Sequence, residues 1–220
     1  MAERGTLPLF SSIDDDRAQR RIADGAWFLP KFALAESGLM AEIDRVANLS
    51  PFRHMVTPGG FQMSVEMTNC GAFGWTSDRR GYRYATEDPA RGVPWPPMPD
   101  AFGRLAVSAA EAAGFHGFRP DACLINRYAP RAKMTLHQDK NERDLSAPIV
   151  SVSLGLPATF LFGGMERSDK AMCVPVEHGD VIVWGGPARL RFHGVLPVKD
   201  GAHPEAGKFR LNLTFRKVRP

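Results

Sequence analysis

Beyond Pro120 the chain is divided into eight short runs of strand-forming residues, 122–128, 133–139, 149–154, 158–162, 173–176, 181–184, 190–195 and 209–217, separated by turn residues. Eight short strands in about a hundred residues leave no span for a helical core and point to a sandwich or jelly-roll barrel. The last run is the most regular. Phe209-Arg210-Leu211-Asn212-Leu213-Thr214-Phe215-Arg216 puts Phe, Leu, Leu and Phe on one face and Arg, Asn, Thr and Arg on the other, and a period of two held over eight residues marks a strand.

The first half has a different texture. Residues 33–49 are expected to form a helix, with Leu39, Ile43 and Val46 on one face. From Pro51 to Pro99 glycine, proline and aromatic residues dominate, which predicts loops and hairpins; the prolines of 93–99 exclude a helix or a central strand there. A second helix should follow, with Asp100 as its cap, Phe102, Leu105, Ala109 and Ala112 as its buried stripe, and Gly114 as its stop. The chain is therefore read as residues 1–120, helices and hairpins, packed on residues 121–220, a β core, the two together forming one domain.

Composition excludes some classes and selects none. At 44% hydrophobic and 24% charged residues the chain is neither disordered nor fibrous. Twenty-eight Lys and Arg against 24 Asp and Glu leave a net charge of +4, which permits contact with a polyanion without naming one. Cys70, Cys123 and Cys173 are widely spaced, odd in number and free of any C-x-x-C pair, so a reducing, cytoplasmic setting is expected. The acidic run Asp14-Asp15-Asp16 does not suit a signal peptide, and no run approaches the roughly eighteen apolar residues of a membrane span.

Two triplets read His-x-Asp: His137-Gln138-Asp139 and His178-Gly179-Asp180. Six histidines and fourteen aspartates in 220 residues produce about 0.4 such triplets by chance, so context must decide. The first ends a strand-like run, where residues i and i+2 share a face about 6.6 Å apart and can converge on one ion. The second reads as a turn entering the strand at Val181. A facial triad of two histidines and one carboxylate needs another histidine. His193, on Arg191-Phe192-His193, is preferred to His203, which lies among loop residues.

The polar face of the last run supports this assignment. Arg210 and Arg216 flank Asn212 and Thr214, a set suited to an anion, and the two Cα atoms should lie about 20 Å apart along a strand. Side chains leaning inward would leave a gap near the length of a five-carbon dicarboxylate, held by charge-assisted bonds at both ends. Asn126 and Tyr128 share a face of another strand and add uncharged hydrogen-bond donors. Each residue alone is more often structural; in this order they describe a polar pocket with an acid and a metal.

Several segments together resemble the AlkB family of iron(II)- and 2-oxoglutarate-dependent dioxygenases. They are 121–130, Leu136-His137-Gln138-Asp139-Lys140, 148–156, His178-Gly179-Asp180 with Trp184-Gly185-Gly186, His193-Gly194 and Asn212-Leu213-Thr214-Phe215-Arg216, and the likeness runs from about Pro51 to Arg216. The resemblance implies a mainly β fold with N-terminal α/β elements, a double-stranded β-helix core and a nucleotide-recognition lid. It implies iron(II) on His137, Asp139 and His193, and 2-oxoglutarate and O2 as co-substrates. Arg210, Tyr128 and Asn212 would hold the distal carboxylate of 2-oxoglutarate, with Arg216 and Asn126 at the end nearest the metal.

In the lid, Thr57 before Pro58-Gly59-Gly60, and Asn69-Cys70-Gly71 before Trp75, resemble the recognition hairpins. Trp75, expected at an exposed hairpin tip, would stack on the damaged base with His137 opposite. Tyr82 and Tyr84 would meet the backbone, and Arg167 would contact substrate. The implied activity is oxidative demethylation of bases such as 1-methyladenine and 3-methylcytosine, with formaldehyde, succinate and CO2 released. A flipped or unpaired base is the reachable one, so single-stranded or locally opened DNA is the expected partner, with RNA open beside it and a monomeric enzyme expected.

One position departs from the family pattern. Asn141 stands two residues after Asp139, where the founding bacterial members carry an acid. An acid about 4 Å from a cationic lesion would contribute up to about 4 kcal/mol at an effective dielectric of 20, before its own desolvation, so an altered lesion preference is expected. With Arg210 and Arg216 assigned inside the barrel, the expected phosphate-facing charges are Arg79, Arg80, Arg83, Lys133, Lys140 and Arg167. The alternative readings are an iron and 2-oxoglutarate hydroxylase of a small molecule or peptide, a non-catalytic nucleic-acid-binding module, and a zinc hydrolase that would leave the arginine pair unexplained.

Overall fold

A computed structural model describes residues 18–220; the acidic run at 14–16 lies outside the described residues. The chain begins with a hairpin of β1 (Arg20–Ala23) and β2 (Ala26–Leu29), followed by α1 (Leu39–Leu49). Next come β3 (Arg53–Val56), β4 (Gln62–Gly71), β5 (Gly74–Asp78), β6 (Gly81–Ala85), β7 (Glu87–Asp88) and β8 (Val93–Pro94). Helix α2 (Asp100–Ala112) precedes β9 (Ala122–Tyr128), β10 (Met134–His137), β11 (Ile149–Gly155) and β12 (Ala158–Phe162). The last strands are β13 (Met172–Val176), β14 (Val181–Trp184), β15 (His193–Val195) and β16 (Arg210–Arg216).

Two antiparallel sheets make the core. The larger runs β1-β2-β14-β11-β16-β9-β4-β3 and the smaller β10-β15-β12-β13, the arrangement of a jelly roll. The eight strand-like runs beyond Pro120 all contain strands; those at 133–139, 190–195 and 209–217 are trimmed, and the others match or extend by one residue. Sheet pairing also crosses residue 120, because β4 pairs with β9 and β2 with β14. The first half therefore builds both flanks of the large sheet as well as the separate β5–β6 and β7–β8 hairpins. No helix among the described residues is long and apolar enough to cross a membrane.

The large sheet is buried on both faces. Its outer face packs on α1 and α2 through Cys70, Cys123, Ile125, Leu213 and Phe215, while Phe28, Ile149 and Trp184 join Phe160, Phe162 and Val195 of the small sheet. The alternation of β16 follows from this: Leu211, Leu213 and Phe215 lie in the helix-side core, and Arg210, Asn212, Thr214 and Arg216 are buried between the sheets.

Both helices differ in detail from expectation. The first begins at Leu39, because Gly38 adopts φ 78°, a left-handed value that interrupts a helix, and residues 32–35 form a separate 3-10 turn. In the second, Pro99 occupies the cap position and Asp100 lies in the first turn. Ala106 and Ala110 complete its buried stripe, whereas Ala112 is exposed.

Candidate active site

His137, Asp139 and His193 meet at the mouth of the barrel, with one ligand atom from each lying within 4.8 Å of the others. His137 closes β10, Asp139 follows two residues beyond its end, and β15 pairs with β10 so that His193 stands opposite His137. Gly194 allows this close approach, since a Cβ there would lie 2.6 Å from the Met134 carbonyl oxygen. His178, by contrast, sits in a turn and accepts the Gly155 N–H at Nδ1, while Asp180 accepts the Lys31 and Glu177 N–H groups. His203 stacks on His178, so the second triplet and the competing histidine are both structural.

The triad is oriented for a metal. His137 Nδ1 lies 2.9 Å from the Thr135 carbonyl and His193 Nδ1 lies 3.1 Å from that of Arg191; each carbonyl accepts a hydrogen bond from Nδ1–H, which leaves the Nε2 lone pair for a metal. Burial and the neighbouring His193 push His137 down to about 4, so its imidazole is neutral at physiological pH. Burial alone would raise Asp139, but Arg216 and the two histidines outweigh it and hold the carboxyl well below the usual range. Arg216 donates Nε and Nη2 to one oxygen, Oδ2, at 2.9 and 2.6 Å. Oδ1, 3.8 Å from His137 Nε2, is left to serve as a monodentate ligand. Two imidazoles that present Nε2 and one carboxylate suit a divalent iron with open positions.

Behind the triad lies a cavity lined by Asn126, Tyr128, Ser151, Trp184, Arg210 and Asn212 among others. Among the described residues, four buried side-chain atoms lack a hydrogen-bond partner: Arg210 Nε, Arg210 Nη1, Trp184 Nε1 and Asn126 Oδ1. All four belong to residues of this cavity. Leaving buried donors unpaired costs about 1–3 kcal/mol each, so a cluster of them marks the place of a missing acceptor. Arg210 is anchored by Ser153 Oγ at 3.2 Å and lies over the Tyr128 ring. Burial pushes Tyr128 up to about 12 and keeps its hydroxyl protonated. Asn212 is locked by Ser151, Val152 and Thr214, and receives the Asn126 amide at 3.1 Å.

The two arginines of β16 are not equivalent in their surroundings. Arg216 is paired with Asp139 through Nε and Nη2, with Glu142 at 3.5 Å, whereas Arg210 has two fully buried donors, Nε and Nη1, without a partner. Sequence reasoning missed the group that holds this arrangement. Buried Arg189 donates to the Asp139 and Ala147 carbonyls and to Glu142 Oε2, while Glu142 Oε1 accepts the Tyr84 hydroxyl at 2.5 Å. Trp184 is likewise legible in the sequence only as part of Trp184-Gly185-Gly186. No local signal separates a buried Arg or Glu from an exposed one.

The lid residues are more scattered. Trp75 is half-buried at the base of the β5–β6 hairpin, not at its tip, which is Arg79-Arg80; cross-strand pairing sets it opposite Tyr84, and Tyr82 stacks on it at 5.6 Å. Asn69 clamps the Trp75 backbone, accepting its N–H and donating to its carbonyl. Tyr82 and Asn141 are exposed beside the site, and the Tyr84 hydroxyl points inward to Glu142. Thr57 Oγ1 is used to close its own hairpin turn on the Phe61 N–H, and Arg167 lies on the loop after β12 over the Phe192 ring; neither lines the cavity.

Residues 25–216 match the family model described as the 2OG-Fe(II) oxygenase superfamily. The chain is 57% identical over 213 residues to the alpha-ketoglutarate-dependent dioxygenase AlkB of Salmonella typhimurium, covering 96% of this chain and 98% of that protein. It is 56% identical to AlkB of Escherichia coli with the same coverage. The solved structure of OsALKBH1 superposes with a TM-score of 0.78 at 31% identity, covering 91% of this chain and 100% of that one.

Proposed function

This chain belongs to the 2OG-Fe(II) oxygenase superfamily and, within it, to the AlkB dioxygenases, and from that membership we propose that it repairs nucleic acid by oxidative removal of N-alkyl groups from 1-methyladenine and 3-methylcytosine. The preferred substrate is single-stranded or locally opened DNA, with RNA of the same form accepted. The enzyme acts as a cytoplasmic monomer. The observation that supports this reading most is the pairing of a converged His-Asp-His set with a buried arginine whose donors are unsatisfied.

With iron(II), 2-oxoglutarate and O2 bound, the site supplies the oxidation of an N-methyl group, with succinate and CO2 formed from the co-substrate and formaldehyde released from the base. His137, Asp139 and His193 hold the metal. Arg210, Tyr128, Asn212 and the Trp184 N–H hold the co-substrate, with Asn126 beside them. Arg216 fixes the Asp139 carboxylate so that one oxygen stays free. Trp75 is the stacking platform for the flipped base, with Tyr82 and Tyr84 near its backbone and Asn141 at its edge; Thr57 and Arg167 are outer contacts. A base must leave its stack to reach a metal set this deep, which favours unpaired substrate.

The test is formaldehyde release from a single-stranded oligonucleotide bearing 1-methyladenine by anaerobically purified enzyme, with and without 2-oxoglutarate. Release should require the co-substrate and vanish in His137→Ala. Release that persists in the variant would refute the assignment, and co-substrate turnover indifferent to any methylated oligonucleotide would favour a small-molecule hydroxylase.

A further inference from the structure

A second concavity, a cleft of about 750 Å³, opens beside the active site; its wall includes Tyr84, whose hydroxyl is bonded to Glu142, and Asn141, two residues after Asp139. Its size lies within the range of ligand-binding clefts. Four arginines line it: Arg80 and Arg83 from the β5–β6 hairpin, Arg143 from the loop after the metal-binding aspartate, and Arg219 from the segment after β16. Asp78 is shared between Arg80 and Arg83, Glu87 is also in the wall, and Asp88 is matched by Arg53. Four positive charges against Asp78 and Glu87 leave an excess of two. Arg143 has no side-chain hydrogen bond among the described residues, and Arg219 lies over the Phe73 ring at 4.8 Å, beside exposed Tyr82.

Arginines interleaved with aromatic faces along an open groove are the means by which proteins hold single-stranded nucleic acid without reading its sequence. We propose that this cleft is a track for the strand on one side of the damaged nucleotide, with Arg143 and Arg219 on its phosphates and Tyr82 against a flanking base. The inference rests on the nucleic-acid reading above and extends it: the strand leaves the active site past Asn141 and follows the cleft in one direction. Arg167 and Lys133 are not in its wall, so the basic surface expected from sequence divides, and the two residues most engaged, Arg143 and Arg219, were not among those expected.

The test combines charge reversal with strand length. Arg143→Glu/Arg219→Glu, and the milder Arg143→Gln, are assayed for formaldehyde release on single-stranded oligonucleotides shortened from either side of a 1-methyladenine, with thermal melting to confirm folding. For the wild type, KM should rise when one side is shortened and not when the other is. In the double variant KM for the full-length strand should rise roughly tenfold, to that of the wild type on the shortened strand, with kcat unchanged. Its log–log salt slope should flatten by about 1.4, two contacts at about 0.7 each. A wild type indifferent to length on both sides, or a variant whose KM shifts equally for all lengths or whose salt slope is unchanged, overturns the track while leaving the repair activity standing. A wild type that releases no formaldehyde from any strand removes the underlying reading and the track with it.

Discussion

Inside the barrel His193 and the polar face of β16 hang from strands paired on both sides, β16 between β11 and β9 and β15 between β10 and β12, while His137 ends the edge strand β10 and Asp139, just beyond it, is held by Arg216. The lid has no such frame. Trp75 and Tyr82 stand on the two-stranded β5–β6 ribbon, which is tied to the large sheet by Asn69 and by the Ser77 hydroxyl on the Val56 carbonyl, and to the active-site loop by Tyr84 on Glu142. A two-stranded ribbon is marginally stable alone. The metal and co-substrate side is therefore built before anything binds, whereas the base-binding side depends on a few side-chain tethers and can yield to substrates of different shape. Preorganisation where charge must be held and compliance where lesions vary is the lesson of the contrast.

The comparison is most severely tested on the barrel side. Asp139→Ala should abolish formaldehyde release and also lower stability by up to about 3–5 kcal/mol, because buried Arg216 would lose its hydrogen-bonded carboxylate and keep only Glu142 at 3.5 Å. Melting temperature with no metal added checks this; an unshifted melt would show that Arg216 relaxes into solvent and that the barrel is less rigid than described.

Arg210→Met should separate binding from stability. Loss of a buried charge-assisted contact is worth about 2–5 kcal/mol, so KM for 2-oxoglutarate should rise at least thirtyfold. Yet the unliganded protein should be as stable as the parent or more so, since the change removes a buried cation with two unsatisfied donors. Equal losses of stability and affinity would make Arg210 structural.

On the lid side, Trp75→Ala should raise KM for methylated oligonucleotide by roughly tenfold to a hundredfold, the value of one stacked base, with KM for 2-oxoglutarate unchanged. If both constants move, the two halves are coupled and the contrast fails. A smaller effect is expected of Asn141→Asp. The exposure of Asn141 screens the attraction that its position in the sequence implied, so the ratio of cationic to neutral lesions repaired should rise about fivefold or less. A constant ratio on matched oligonucleotides would remove Asn141 from the specificity argument.

The smallest effect concerns pH. Burial and the neighbouring His203 hold His178 below its ordinary value, so the folded state favours the neutral ring that accepts the Gly155 N–H. The unfolded chain binds this proton more readily, so the stability it contributes is present above about pH 6.5 and declines as pH falls below that value. Gly155 is paired with Arg210, so the decline belongs to the barrel side. Melting between pH 7.5 and 5.5 should show a loss that His178→Gln diminishes; the same slope in the variant would assign it elsewhere.

Much of the barrel was legible because its signals are local. A strand repeats every two residues, so β16 announced both its conformation and its polar face, and His137 and Asp139 announced a shared face at the end of β10. The hairpin at 20–29 was not anticipated, since four-residue strands carry too little pattern. Trp75 was misplaced because glycines around an aromatic residue suit a hairpin base as well as a tip; Gly74 is in fact packed so closely under Trp95 that a Cβ would lie 2.3 Å from its ring. The supports of the site, Arg189 and Glu142, were invisible for a related reason: they find each other across 47 residues.

By itself the sequence determined which faces carry polar groups, which residue types stand ready to bind a metal and an acid, and in what order the strands come. Only the tertiary structure decided which partners those groups have. Arg210 and Arg216 are equivalent in the alternation of β16, yet one is matched by Asp139 and the other faces an unfilled demand for an acceptor. Period and composition act between neighbours along the chain; the free energy of a buried charge depends on what the fold brings within a few ångströms of it, and that is set by register and loop closure between distant segments.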